Sequence, residues 1–255
     1  MNIGNIEATN FYLGADQVEK IYLGDNVVWP TTPPEPVYSI MPLTIEAQES
    51  GTFYVNNSGV NYSVNGGTWS TTTGATEIQL SLGDTVRFFN RDTDDTATFS
   101  GNTINFKMYG NLESMEYGNN FTGQTSVMRE NSAFAYYFCD CTGLTNVDNL
   151  ILASSLKSSC YAFLFKGCTS LVKAPELPAL TMTQYCYRQM FDGCTNLNYI
   201  KCLATNMTPY DQYTYNWVNG VQTTSGLFVK HPDATGWPQN KKGIPAGWTV
   251  QDAII

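Results

Sequence analysis

Apolar and polar residues alternate over short runs in the first half of the chain, the period of half-buried strands. Between residues 37 and 107 these runs are Leu43-Thr44-Ile45-Glu46-Ala47, Thr52-Phe53-Tyr54-Val55, Tyr62-Ser63-Val64, Ile78-Gln79-Leu80-Ser81-Leu82 and Thr85-Val86-Arg87-Phe88-Phe89. Asn65-Gly66-Gly67 and Gly83-Asp84 lie between runs and tolerate the positive φ of tight turns. Closely spaced strands with such punctuation predict a small Ig-like β-sandwich.

The first 30 residues carry a ten-residue self-similarity, Tyr12-Leu13-Gly14 with Val18 and Tyr22-Leu23-Gly24 with Val28, each reading as a short strand broken at a glycine. So short a segment buries no core by itself. It is therefore expected to dock on another subunit through Tyr12, Leu13, Tyr22, Leu23, Val28 and Trp29. Residues 31–36, Thr-Thr-Pro-Pro-Glu-Pro, read as a stiff linker.

From residue 108 the pattern changes to an internal repeat. Phe134-Ala135-Tyr136-Tyr137-Phe138-Cys139-Asp140-Cys141-Thr142-Gly143-Leu144 aligns with Tyr161 to Leu171 and with Tyr187 to Leu197. The aligned cysteines Cys141, Cys168 and Cys194 lie 27 and 26 residues apart, and Phe138, Phe165 and Phe191 keep the same register. One solenoid coil per copy is predicted, with Phe and Cys pointing inward and strands stacking from coil to coil. The stretches 108–124 and 217–255 are expected to cap the two ends. Tyr136, Tyr161 and Tyr187 are read as structural repeat positions.

Charge changes the picture by exclusion. Charged residues make up only 14% of the chain and the net charge is −9, so no basic surface is available for a nucleic acid. No window approaches the ~18 apolar residues of a spanning helix, and no basic, then apolar, export signal stands at the start; neither membrane insertion nor signal-directed export is expected. Seven cysteines with no C-x-x-C pair, and a single histidine, do not compose a metal site; the cysteines are expected to be buried packing residues and no cofactor is expected. His231 reads as a solvated loop residue, and Asp92, Asp94 and Asp95 as an acidic hairpin tip. Tyrosine and tryptophan rings stack on sugar faces while keeping a polar edge wet. Tyr210, Tyr213, Tyr215 and Trp217, in a polar stretch, are the candidate glycan-binding residues.

Phe-x-x-Cys-Thr-x-Leu in the copies, Ala174-Pro175-Glu176-Leu177-Pro178 after the second, and Gly243-Ile244-Pro245-Ala246-Gly247-Trp248-Thr249-Val250 near the end resemble the BspA-like leucine-rich repeats of Bacteroidetes surface proteins and of their phages. The segment Lys20 to Pro30 is similar to short stretches of phage tail, baseplate or head-fibre proteins. The resemblance implies a mainly β chain with four parts: a docking segment (1–30), a linker (31–36), a β-sandwich (37–107) and a short leucine-rich-repeat solenoid with short helices (108–255). It further implies a non-enzymatic, homo-oligomeric fibre or capsid decoration protein of a crAss-like phage virion. Its partners would be other virion proteins and a host-surface glycan or protein. A bacterial cell-surface adhesin and a glycan-cleaving fibre enzyme are the alternatives.

Overall fold

The computed structural model describes residues 37–90, 98–127, 131–207 and 210–255, and the backbone of six short strands within 2–29. The protein is mainly β and divides into two units, Met1–Val37 and Tyr38–Ile255.

In the first unit, Asn2–Ile3 pairs with Ile6–Glu7, Tyr12–Leu13 with Asp16–Gln17, and Ile21–Leu23 with Asn26–Trp29, all antiparallel. The ten-residue motif thus occurs three times, not twice. Each pair flanks a Gly-x dipeptide, Gly4-Asn5, Gly14-Ala15 or Gly24-Asp25, which is hairpin chemistry. The first copy escaped the sequence reading because Ile3 stands where the others have Leu, with no tyrosine before it. The linker and the aspartates at 92, 94 and 95 lie outside the described residues.

The second unit opens on a sandwich. A six-stranded sheet runs in the order Ser70–Thr71, Val60–Val64, Thr85–Asn90, Leu43–Ala47, Phe106–Asn111, Leu144–Ile151, alongside a two-stranded antiparallel sheet of Gly51–Val55 with Thr76–Leu80. Phe53 from the small sheet meets Phe88 and Phe106 from the large one, with ring centroids 6.0 and 5.2 Å apart. A one-residue slip of either strand would turn these rings to solvent, so their burial fixes the register.

The predicted boundary at 107/108 falls inside the Phe106–Asn111 strand. That strand is antiparallel to Leu43–Ala47 on one side and parallel to Leu144–Ile151 of the repeat region on the other. Two independent sheets would have left an open edge at each face; one continuous sheet leaves neither. Residues 108–124 accordingly do not form a detached cap. They finish this strand and add the short helix Ser114–Tyr117. The Ser114 hydroxyl pins that helix, accepting the Leu43 N–H at 2.9 Å and donating to the Phe88 carbonyl at 3.2 Å.

Beyond Leu144–Ile151 the repeat copies lie on one another. In each copy a ribbon of overlapping turns closes every second N–H onto the carbonyl three residues back, as in Tyr137 to Phe134 and Cys139 to Tyr136. The intervening N–H groups reach the next copy: Phe134 to Cys160, Tyr136 to Ala162, Phe138 to Leu164, then Tyr161 to Cys186, Phe163 to Arg188 and Phe165 to Met190. Inside, Phe99, Phe138, Phe165 and Phe191 form one column at 5.4, 5.8 and 5.9 Å, with planes within 12° of parallel. Phe134, Tyr161, Tyr187 and Trp217 form a second. Buried aromatic pairs contribute about 1 kcal/mol each beyond the area they bury.

The stack holds five turns, not three. Phe99 and Gly101 donate to the Tyr137 and Cys139 carbonyls in the pattern of the full copies, so Phe99-Ser100-Gly101-Asn102 within the sandwich is a degenerate first turn. At the other end Phe191 and Gly193 donate to Trp217 and Asn219, making Trp217-Val218-Asn219-Gly220-Val221 a divergent last one. Trp237 stacks 5.5 Å from Trp217 beyond it.

Two predictions concern this unit. A Cβ on Gly143 would stand 1.9 Å from the Ile104 carbonyl oxygen, where the sandwich meets the first full copy. Gly143→Ala should therefore destabilise by about 3 kcal/mol, as overpacking of a tight site does, measured by urea denaturation. Glu113 is 1% exposed, its carboxyl buried beside the Tyr161 hydroxyl. Burial, then the neighbouring charge of Glu116, pushes its carboxyl up to about 9. The folded state keeps a proton that the unfolded chain releases above its ordinary value of 4.5. Stability should accordingly be highest below that value and fall as pH rises towards 9, by at most about 1.4 kcal/mol per unit. Glu113→Gln should flatten that slope and raise the melting temperature at pH 8.

Candidate binding face

Where the turn ribbon faces outward, its backbone adopts positive φ in three columns. Ser132, Ser159 and Tyr185 form one; Tyr136, Phe163, Gln189 and Asn216 another; Asp140, Gly167, Gly193 and Gly220 the third. Gly and Asn are the low-cost residues for this conformation, whereas a bulky side chain costs about 1 kcal/mol or more. The third column follows that preference. The first two do not, carrying Tyr136 at φ 62°, Phe163 at φ 60° and Tyr185 at φ 56°.

These rings do not fill the core. Tyr136 is 39% exposed and Phe163 and Tyr185 are half-buried. Tyr136 and Phe163 stack face to face at 4.2 Å with planes 8° apart. The Arg188 guanidinium carbon lies 5.5 Å from the Phe163 ring centroid and 5.6 Å from those of Tyr185 and Tyr215, the last 40% exposed. Lys166 lies 5.7 Å over Phe163 and 3.8 Å from Asp192. The result is a strip of partly exposed rings, stacked on one another with cations set among them, on strained backbone. It offers a partly apolar ligand the exposed parts of Tyr136 and Tyr215 beside a guanidinium.

The residues predicted from sequence separate here. Tyr215 lies on the strip. Tyr213 is half-buried and packs against the core, and the Tyr210 side chain lies outside the described residues. Trp217 is corrected: it is 0% exposed, its indole N–H donates to the Gly243 carbonyl at 2.7 Å, and it is a core residue with no face for a sugar. It occupies the inward position held by Met190 in the copy before, which divergence of the last turn concealed. Tyr136 is corrected in the opposite sense, since Tyr161 and Tyr187 are buried while Tyr136 points out. Sequence reasoning also missed Phe163 and Arg188: Phe163 aligns with Tyr136, in a column whose outward direction follows from positive φ, whereas Arg188 aligns with Ala135 and Ala162, which are buried. The docking residues Tyr12, Leu13, Tyr22, Leu23, Val28 and Trp29 all lie on hairpin strands, and their side chains are outside the described residues.

The cysteines fill the interior. The Cys141, Cys168 and Cys194 thiols donate to the carbonyls of Phe99, Phe138 and Phe165, each one turn back, at 2.9, 3.0 and 3.0 Å. All seven are buried and unbridged, and burial pushes the thiols of Cys141, Cys186 and Cys202 up to about 12. His231 is not a solvated loop side chain. It is 14% exposed and its Nδ1 accepts the Asp233 N–H at 3.1 Å.

A cleft of about 710 Å³ lies elsewhere on the second unit, lined by Ile40, Asn111, Asp148, Ile151, Glu176 and Pro178 among others. Both of its carboxylates are ion-paired, Asp148 with Lys173 at 3.0 Å and Glu176 with Lys201 at 2.8 Å.

The buried column of thiols predicts that fewer than one cysteine per chain reacts with a disulfide reagent at pH 8 in the native state, and all seven in guanidinium. Rapid labelling of three or more in the folded protein would contradict the packing described. No protein-family model matches the chain, and comparison with curated proteins and with solved structures returns no match.

Proposed function

We propose that this chain is an attachment protein of a bacteriophage virion, a fibre or decoration component that binds host-surface glycans without turning them over. In this reading the stacked turns are a short leucine-rich-repeat solenoid of the BspA-like kind, the sandwich fused to them through the Phe106–Asn111 strand supports it, and residues 1–30 are the segment that docks on capsid or tail. The observation that carries it is the outward strip of Tyr136, Phe163, Tyr185, Arg188 and Tyr215. Surface rings kept at unfavourable φ lower stability without filling the core, and such strain concentrates where a surface binds. Rings fixed by stacking lose little freedom on binding, which suits weak single contacts multiplied by a homo-oligomeric fibre.

The same strip would serve a bacterial cell-surface adhesin, and locating the protein with antibody on purified particles and on uninfected cells separates the two. For the glycan-cleaving alternative, release of reducing ends from host polysaccharide is the sign.

Removing residues 1–30 should leave the second unit folded and abolish incorporation into particles. The double variant Tyr136→Ala, Tyr215→Ala should keep its melting temperature within a few degrees and lose at least tenfold in binding to host cells. Unchanged cell binding by that variant would remove the strip from the account.

A further inference from the structure

Building on the glycan-binding reading of the strip, we infer that its ligand is an anionic saccharide whose acidic group is received by Arg188. A guanidinium carries five N–H donors and cannot be deprotonated in a protein. The Arg188 guanidinium has no carboxylate or other hydrogen-bond partner among the described residues, and its Nε is buried without one. On the strip, Lys166 is different, since it faces Asp192, and elsewhere in this unit Lys173 faces Asp148, Lys201 faces Glu176 and Lys230 faces Asp252. Asp192 is further engaged, receiving the side-chain amides of Gln189 at 2.7 Å and Asn219 at 2.8 Å as well as Lys166.

The three rings around Arg188 hold its plane by cation–π attraction but accept none of its in-plane N–H groups. In a chain of net charge −9, an arginine left without an acid on an aromatic face is a local reversal of sign. Its unmet need is a planar, two-oxygen acceptor, which a carboxylate supplies in bidentate fashion. Of the flanking rings, Tyr215 and Tyr136 are the exposed ones, the latter with one face already stacked on Phe163, and they offer the apolar contact a pyranose takes. A uronate-bearing oligosaccharide presents both features one sugar ring apart. A nucleic acid also combines anions with flat rings, but the overall negative charge repels a polyanion of that density.

The test is titration calorimetry of the full chain with an oligogalacturonate and with its methyl ester, which keeps the ring and removes the charge. The acid is expected to bind at least tenfold tighter than the ester, with affinity falling as salt rises. Arg188→Gln should erase the preference, Arg188→Lys should restore only part of it because the planar fork is lost, and Lys201→Gln, off the strip, should leave it unchanged. Equal binding of acid and ester, or a preference that survives Arg188→Gln, overturns the inference while leaving glycan binding intact. Binding of neither, with polyglutamate bound instead, overturns both this inference and the glycan reading in favour of an acidic protein partner; binding of none of the three probes also overturns both.

Discussion

The alternation of backbone N–H groups along the turn ribbon is the constraint from which the rest of the second unit follows. Half of these donors close turns within their own copy, and half can be satisfied only by the copy that lies beyond. A buried N–H without a partner costs roughly 1–3 kcal/mol, so no copy is stable alone and every copy must lie in register with the next. That register brings each Phe over the Phe of its neighbour and each thiol under a carbonyl one turn back. Cysteine suits this position: it is small, apolar enough for a core, and still able to donate weakly to a carbonyl that would otherwise be under-satisfied.

A stack built this way needs two ends that differ from its middle. At one end Phe99 belongs to both bodies, its ring lying 4.8 Å from Phe88 in the sandwich and 5.4 Å from Phe138 in the stack. Asn102, in the place of the column cysteine, turns its amide back to the Tyr54 backbone, so the ladder ends on a polar group that is fully paired. At the other end indoles replace phenyl rings. Trp217 and Trp248 each cover more area than a phenylalanine and spend their N–H on the Gly243 and Gln222 carbonyls. The sandwich and the tryptophans thus terminate a structure that would otherwise expose bare ring faces.

What could be read from sequence follows the same division. The regular middle was legible because Phe, Cys and Leu recur at a nearly constant spacing, and the inward columns are where residue type is most constrained. The end turns were not. Val218 and Val221 replace Phe and Cys, and Asn102 replaces Cys, because an end turn needs only one well-packed face. Trp217 reads as a ligand residue because its polar neighbours belong to the surface, while its own position does not. The strip was hidden for another reason: whether Tyr136 and Phe163 point outward depends on the sign of φ at every fourth residue, which side-chain hydrophobicity does not encode. The sandwich strands were legible from their alternation, yet their fusion to the first repeat strand was not, since a parallel partner leaves no mark of its own on Phe106–Asn111.

Sandwich and turns form one cooperative body joined through Phe99, which native-state hydrogen exchange under increasing denaturant can test. The amides of Phe99, Phe138, Phe165 and Phe191, each bonded to the next turn, should lose protection together with those of the Leu43–Ala47 strand, at the free energy of global unfolding. Loss of protection at Phe165 and Phe191 in a separate, earlier step, with Leu43–Ala47 still protected, would contradict it.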